Sequence, residues 1–190
     1  MTDKEIEINL PSTLYPFKLA DLPVFEFGAY TLLNVYQKIT EEQKHACVEM
    51  WLRNRVLPNK QAALERSKEV CYFITETASD KLIGVNTLYQ SHVTNSTPKV
   101  FLNRMFIDPA YRNSRLMITG TAVMLCYAKT QLADQGIPGV VNINENKKLS
   151  RPGASQIFER LGYRKQRMQN GQEVLYFEFA RIQFRELLLT

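Results

Sequence analysis

The stretch Val100-Phe101-Leu102-Asn103-Arg104-Met105-Phe106-Ile107-Asp108-Pro109-Ala110-Tyr111-Arg112-Asn113-Ser114-Arg115-Leu116-Met117 decides how this chain is read. Val100 to Ile107 is apolar except at Asn103 and Arg104, a short run that reads as a central strand. Asp108-Pro109 stops that strand, because proline has no N–H to give to a ladder. From Leu116 to Leu132 the chain is apolar on more than one face, as a buried helix is, and Gln135-Gly136 ends it. A helix start carries unpaired N–H groups and a positive dipole end, which attract anions. A strand that turns into such a helix puts this site at the carboxyl edge of the sheet, where α/β proteins bind ligands.

Working outward, Gly139 to Ile143 reads as a short strand. Ala154, Ile157, Phe158 and Leu161 fall at i, i+3, i+4 and i+7, an amphipathic helix stopped by Gly162. Tyr163 to Met168 and Glu173 to Phe179 flank Asn170-Gly171, a hairpin signal. Upstream, Tyr30 to Ile39 reads as a strand, and Thr40-Glu41-Glu42-Gln43 forms a capping box opening a helix that runs to about Val56. A second helix through Ala62 to Lys68 and a hairpin of Val70–Thr77 with Leu82–Tyr89 complete the order β-α-α-β-β-β-α-β-α-β-β. Residues 1–28, broken by Pro11, Pro16 and Pro23, read as an irregular arm that packs on a single domain spanning 29–190. The tail from Ile182 to Leu189 is apolar enough to dock as a short helix or strand.

This order and these residues resemble the GNAT superfamily of N-acetyltransferases. The family shows a strand, then Val-x-Pro-x-Tyr-Arg-Gly-x-Gly-x-Gly/Ala, then a helix. Here the run is Ile107-Asp108-Pro109-Ala110-Tyr111-Arg112-Asn113-Ser114-Arg115-Leu116-Met117. Forty residues on, the family's Ala-x-x-x-Tyr helix and Leu-Gly-Phe/Tyr ending correspond to Ala154 to Phe158 and Leu161-Gly162-Tyr163. The resemblance covers about Tyr30 to Phe179. It implies an α/β fold with a mixed, mostly antiparallel sheet, a splayed parallel pair and flanking helices. It also implies acetyl-CoA or another acyl-CoA as donor and transfer of the acyl group to an amine.

On that resemblance, the donor is held by Met105, Phe106, Ile107, Arg112, Asn113, Ser114, Arg115, Leu116 and Met117. A backbone N–H between Met105 and Ile107 polarises the thioester carbonyl. The sequence departs from the family where its glycines let the backbone approach the pyrophosphate. Asn113, Arg115 and Met117 stand there, and Arg115 either replaces a lost backbone contact or blocks the pocket. The family's late-helix tyrosine, which protonates the leaving thiolate, is Phe158 in this chain. Phe158 instead reads as packing.

Glu145, flanked by Asn144 and Asn146 just past the second parallel strand, is either the general base or a solvated loop carboxylate. Tyr111 is a candidate acid, and Tyr163 another; both residue types also pack at core edges. Asn103 and Arg104 are adjacent on a strand and face opposite sides, so one of them faces substrate, with Asn144 nearby. Arg104 holds a substrate carboxylate or forms a structural ion pair.

Composition bounds the rest. With 190 residues and 45% hydrophobic content the chain can bury a core. Its net charge of +5, from 24 basic and 19 acidic residues, is mild, and no recognition helix or basic-aromatic array points to nucleic acid. Cys47, Cys71 and Cys126 are far apart and lie in apolar segments, so free buried thiols are expected, with no metal site. The polar start has no secretory signal pattern and no apolar run spans a bilayer, which predicts a cytoplasmic protein. The basic rim of Arg112, Arg115, Lys147 and Lys148 also suits an acidic acyl carrier protein, as in acyl-homoserine-lactone synthases. A GNAT-shaped binding module without turnover is the third reading.

Overall fold

Two side-chain caps set the first helices. Thr40 Oγ1 accepts from the Gln43 N–H at 3.2 Å while Gln43 Oε1 accepts from the Thr40 N–H at 3.0 Å, the expected capping box. It opens helix α1, Glu41–Arg53. Asn59 Oδ1 accepts from the Ala62 N–H at 2.8 Å and opens α2, Lys60–Ser67. The structure is a computed structural model, and it describes residues 6–8, 23–94, 97–112, 114–143, 152–167 and 173–184.

The strands are β1 (Ile6–Ile8), β2 (Val24–Phe27), β3 (Tyr30–Asn34), β4 (Val70–Glu76), β5 (Lys81–His92), β6 (Lys99–Ile107), β7 (Gly139–Ile143), β8 (Arg164–Arg167), β9 (Glu173–Glu178) and β10 (Ile182–Phe184). Helices α3 (Ser114–Gln131) and α4 (Pro152–Arg160) lie on either side of β7 in the chain. Eight strands hydrogen-bond in the order β2-β3-β4-β5-β6-β7-β9-β8, mostly antiparallel. The parallel pair of that sheet is β6 with β7, registered as Phe101↔Val140, Leu102↔Val141 and Asn103↔Asn142. The register ends there, although β6 runs on to Ile107. β1 and β10 form a separate parallel pair.

Sequence and structure differ at the edges. The arm expected to be irregular contains β1 and β2, and the tail contributes β10. The strand expected to reach Ile39 stops at Asn34, because Lys38 N–H closes a turn on the Val35 carbonyl with Gln37 in the left-handed region at φ 59°. Helix α1 ends three residues before Val56. Arg55 is left-handed at φ 53° and the Val56 N–H returns to the Trp51 carbonyl at 2.9 Å.

The chain divides into two compact units. The first is Leu19–Tyr89 with Arg104–Met124. On one sheet face, α1 and α2 bury Cys47, Met50, Trp51 and Ala63 against Val35, Phe73 and Val85, with Phe106 packed beside them. On the other face, Gly120 of α3 sits where a Cβ would lie 2.9 Å from Met105 Cε, close to Leu32 and Ile74. The second unit is Met1–Lys18, Gln90–Asn103 and Leu125–Thr190. Its core includes Phe101, Phe158, Tyr163, Phe177 and Phe179, all buried, in a chain of tilted and edge-on ring contacts. Gly139 is required in β7: a Cβ there would stand 2.1 Å from the Phe177 carbonyl oxygen on β9.

Candidate active site

In the first unit, β6 ends at Ile107 and a single 3-10 turn, Pro109–Tyr111, leads toward α3. Asp108 starts that turn by accepting from the Ala110 N–H at 3.1 Å. Its own N–H donates to the Ile83 carbonyl on β5 at 2.7 Å. In an antiparallel ladder, alternate residues face the same neighbour. The backbone groups of Met105 and Ile107 therefore face the edge away from β5. The Ile107 carbonyl is engaged on that edge, accepting from Arg112 Nε at 3.1 Å.

The expected donor-binding residues thus separate into backbone and side-chain roles. Met105 fills space under Gly120, Phe106 joins the α1–α2 core, and Ile107 and Leu116 are buried. Arg112 and Arg115 are exposed, and Met117 is half-buried. The Arg112 guanidinium lies 5.8 Å from the Phe106 ring centroid, and the residue as a whole stays exposed. Asn113, Asn144 and Glu145 lie outside the described residues, and Ser114 is the first residue of α3.

Tyr111 accepts a hydrogen bond at its hydroxyl from Lys81 Nζ at 3.1 Å, and the same ammonium stands 5.0 Å from its ring centroid. Arg104 turns to the α1–α2 face. It donates to the Tyr89 hydroxyl, its guanidinium lies 5.3 Å from that ring centroid, and its charge reaches Glu69. Burial pushes the Glu69 carboxyl up, and Arg66, at 3.3 Å, and Arg104 pull it back. Arg104 therefore packs on Tyr89 within electrostatic reach of the Arg66–Glu69 pair.

In the second unit, Asn103 is buried, and its Oδ1 accepts from Asn142 Nδ2 at 3.4 Å. Asn142 was not singled out from the sequence, although an asparagine after Val140-Val141 in a short strand is a signal of a polar task. Phe158 is buried edge-on to Tyr163, with ring centroids 5.7 Å apart. Burial drives the Tyr163 phenol far above its ordinary value, and its hydroxyl has no hydrogen-bond partner among the described residues. A phenol held that firmly protonated in an apolar setting is packing material. Burial likewise pushes the Cys47 and Cys126 thiols up to about 12. Cys71 moves the same way, so all three are inert.

Among the described residues no group of three His, Cys, Asp or Glu side chains could hold a metal, and no helix is long and apolar enough to cross a membrane. No family model matches the sequence, and no curated protein matches it either. Solved structures do. Ribosomal-protein-S5-alanine acetyltransferase from Vibrio fischeri superposes with a TM-score of 0.53 at 15% identity, covering 82% of this chain and 94% of that one. The fold is that of the GNAT acetyltransferases. A GNAT-family acetyltransferase from Bacillus anthracis matches at a TM-score of 0.52 and 10% identity, over 82% of this chain and 96% of its own. AtaTR, solved with acetyl-CoA bound, matches at 0.55 and 15% identity, over 80% and 95%.

Proposed function

We propose that this chain is an acyl-CoA-dependent N-acyltransferase, moving an acetyl group from acetyl-CoA to a small-molecule or amino-acid amine in the cytoplasm. The observation that carries this reading is the turn after β6. Two exposed arginines, Arg112 and Arg115, stand at the start of an 18-residue helix, and the turn's one carboxylate, Asp108, is tied up by neighbouring donors. That arrangement fits a polyanion such as the phosphates of coenzyme A.

Bound there, the donor supplies an acyl group already activated as a thioester. The chain's own residues do the rest. Arg112 and Arg115 hold phosphate, with Asn113, Ser114 and Met117 beside them. Backbone N–H groups of Met105 and Ile107 orient the carbonyl. Asn103, Arg104 and Asn144 are the proposed substrate contacts, Glu145 takes the proton the ammonium must lose, and Tyr111 supplies one to the departing thiolate.

Calorimetric titration with coenzyme A, followed by thiol-release assays over a panel of amines, tests the reading. Binding with turnover supports it. Glu145→Gln should lower turnover by about a hundredfold or more at neutral pH, with the loss shrinking as pH rises toward the amine's own pKa. Full turnover in that variant at every pH would remove Glu145. Binding of an acyl carrier protein in place of coenzyme A would transfer the reading to a carrier-dependent synthase. One observation favours a second reading, a binding module without turnover: Phe158 is core, and the nearby Tyr163 hydroxyl is sealed in with it. Ligand binding with no thiol release for any amine would select that module.

A further inference from the structure

Asp108 makes five hydrogen bonds that reach α1, β5 and its own turn, one of them from the Tyr111 N–H to its carbonyl at 2.8 Å. Its N–H donates to Ile83 on β5 at 2.7 Å. Its Oδ1 accepts from the Ala110 N–H at 3.1 Å. Its Oδ2 accepts from Arg53 Nη2 at 3.0 Å and from Asn54 Nδ2 at 3.3 Å. The Asn54 amide also donates to the Met50 carbonyl at 2.9 Å, so one side chain closes the last turn of α1 and holds the carboxylate. The left-handed Arg55 then turns the chain away from the helix axis.

A carboxylate four residues before Arg112 poses an electrostatic problem for an anion site. Left unpaired it would repel phosphate across the turn. Arg53 neutralises it and Asn54 fixes its direction, so the turn keeps the net positive field of Arg112 and Arg115. The Ala110 bond sets the path of the backbone from Pro109 to Arg112.

We propose that Asp108, clamped by Arg53 and Asn54, is a positioning residue for donor binding: it fixes the Pro109–Arg112 turn on the end of α1 and so makes affinity for the acyl donor depend on that helix terminus. The proposal rests on the reading of the turn as the acyl-CoA site. It deepens that reading by adding residues that touch no ligand.

The test is calorimetric titration with coenzyme A, with thermal melting of each variant in parallel. Asp108→Ala and Arg53→Ala should each raise Kd about tenfold or more, the scale of one charge-assisted hydrogen bond. The double variant should be no weaker than Asp108→Ala alone, because the two residues act as one unit. Arg53→Lys should restore part of the affinity. Thr40→Ala, which loosens α1 from its other end, should lower Tm and leave Kd unchanged. In turnover assays, KM for the acyl donor should rise while KM for the amine stays constant. Wild-type affinity in both Asp108→Ala and Arg53→Ala, with Tm lowered as in Thr40→Ala, would reduce the clamp to a fold contact and overturn the proposal while leaving the donor site standing. Absence of coenzyme A binding by the wild-type protein would overturn the donor-site reading itself, and the clamp's role with it. If Asp108→Ala does not fold, Asp108→Asn and Arg53→Ala carry the same comparison.

Discussion

Arg112→Ala separates binding from folding more sharply than any other substitution in the turn. The side chain is exposed. What it gives the fold is one hydrogen bond to the Ile107 carbonyl at 3.1 Å and a cation–ring contact at 5.8 Å. The first contributes about 1 kcal/mol and the second about 0.5 kcal/mol at an exposed site, so stability should fall by no more than about 1.5 kcal/mol. Its loss to a phosphate ligand is larger, about 1.5–3 kcal/mol for a charged hydrogen bond, which is roughly 10- to 150-fold in Kd. Calorimetric titration with coenzyme A reads this directly. Repeating it at higher salt should narrow the gap between wild type and variant, because exposed charges are screened. Arg112→Lys keeps the charge and loses the planar fork, and should fall between the two. An alanine variant that binds coenzyme A as tightly as the wild type would refute the assignment of phosphate to this turn.

Three further outcomes follow from the geometry. Phe158→Ala removes a buried ring that meets Tyr163 edge-on, and should cost roughly 3–5 kcal/mol in denaturant melts; a variant that is equally stable but catalytically dead would place the ring in the chemistry instead. Gly139→Ala drives a methyl to 2.1 Å from the Phe177 carbonyl oxygen, a backbone atom that cannot rotate away, so β7 must part from β9 and the protein should melt at least several degrees lower; an unchanged Tm would refute that close approach. The third concerns pH. The Ala110 N–H first, then Asn54 and Arg53, hold the Asp108 carboxyl below its ordinary value, against the opposing effect of partial burial. A depressed carboxyl pKa stabilises the fold above its unfolded value, and the gain disappears as pH falls through the folded one. Asp108→Asn should therefore melt below wild type at neutral pH, and the two curves should converge in strong acid; a pH-independent gap would show that charge plays no part.

Much of the fold was legible because its signals are local. The capping box at Thr40 and Gln43 needs only four residues, and β7 begins and ends at the residues its apolar run marks, Gly139 and Ile143. The stripe of α4 needs only the helical period, and it placed Phe158 in the core. Strand β1 was missed, and β10 was read only as a tail docking as a helix or strand, for the opposite reason. β1 and β10 are three residues each, too short to show alternation, and they find each other from opposite ends of the chain. The site was half legible. The strand, turn and helix start could be read from residues 100 to 117. The clamp on Asp108 could not, because Arg53 lies far away in sequence and no spacing rule connects them. Asn103 and Arg104 are adjacent on one strand, and which partner each meets depends on Asn142 and Tyr89 arriving from other strands.

The parallel pairing of β6 with β7 sets the order in which this molecule can assemble. β2 meets β3 through the two-residue turn at Gly28-Ala29, and β4 meets β5 across a short hairpin, so both form within a few residues of leaving the ribosome. β7 can join only after the whole of α3 has been made and has crossed back, a closure that carries a far larger entropic cost. The sheet is therefore expected to grow from its N-terminal side. Damage to β4 or β5 should slow folding, whereas damage to β7, such as a methyl at Gly139, should instead speed unfolding.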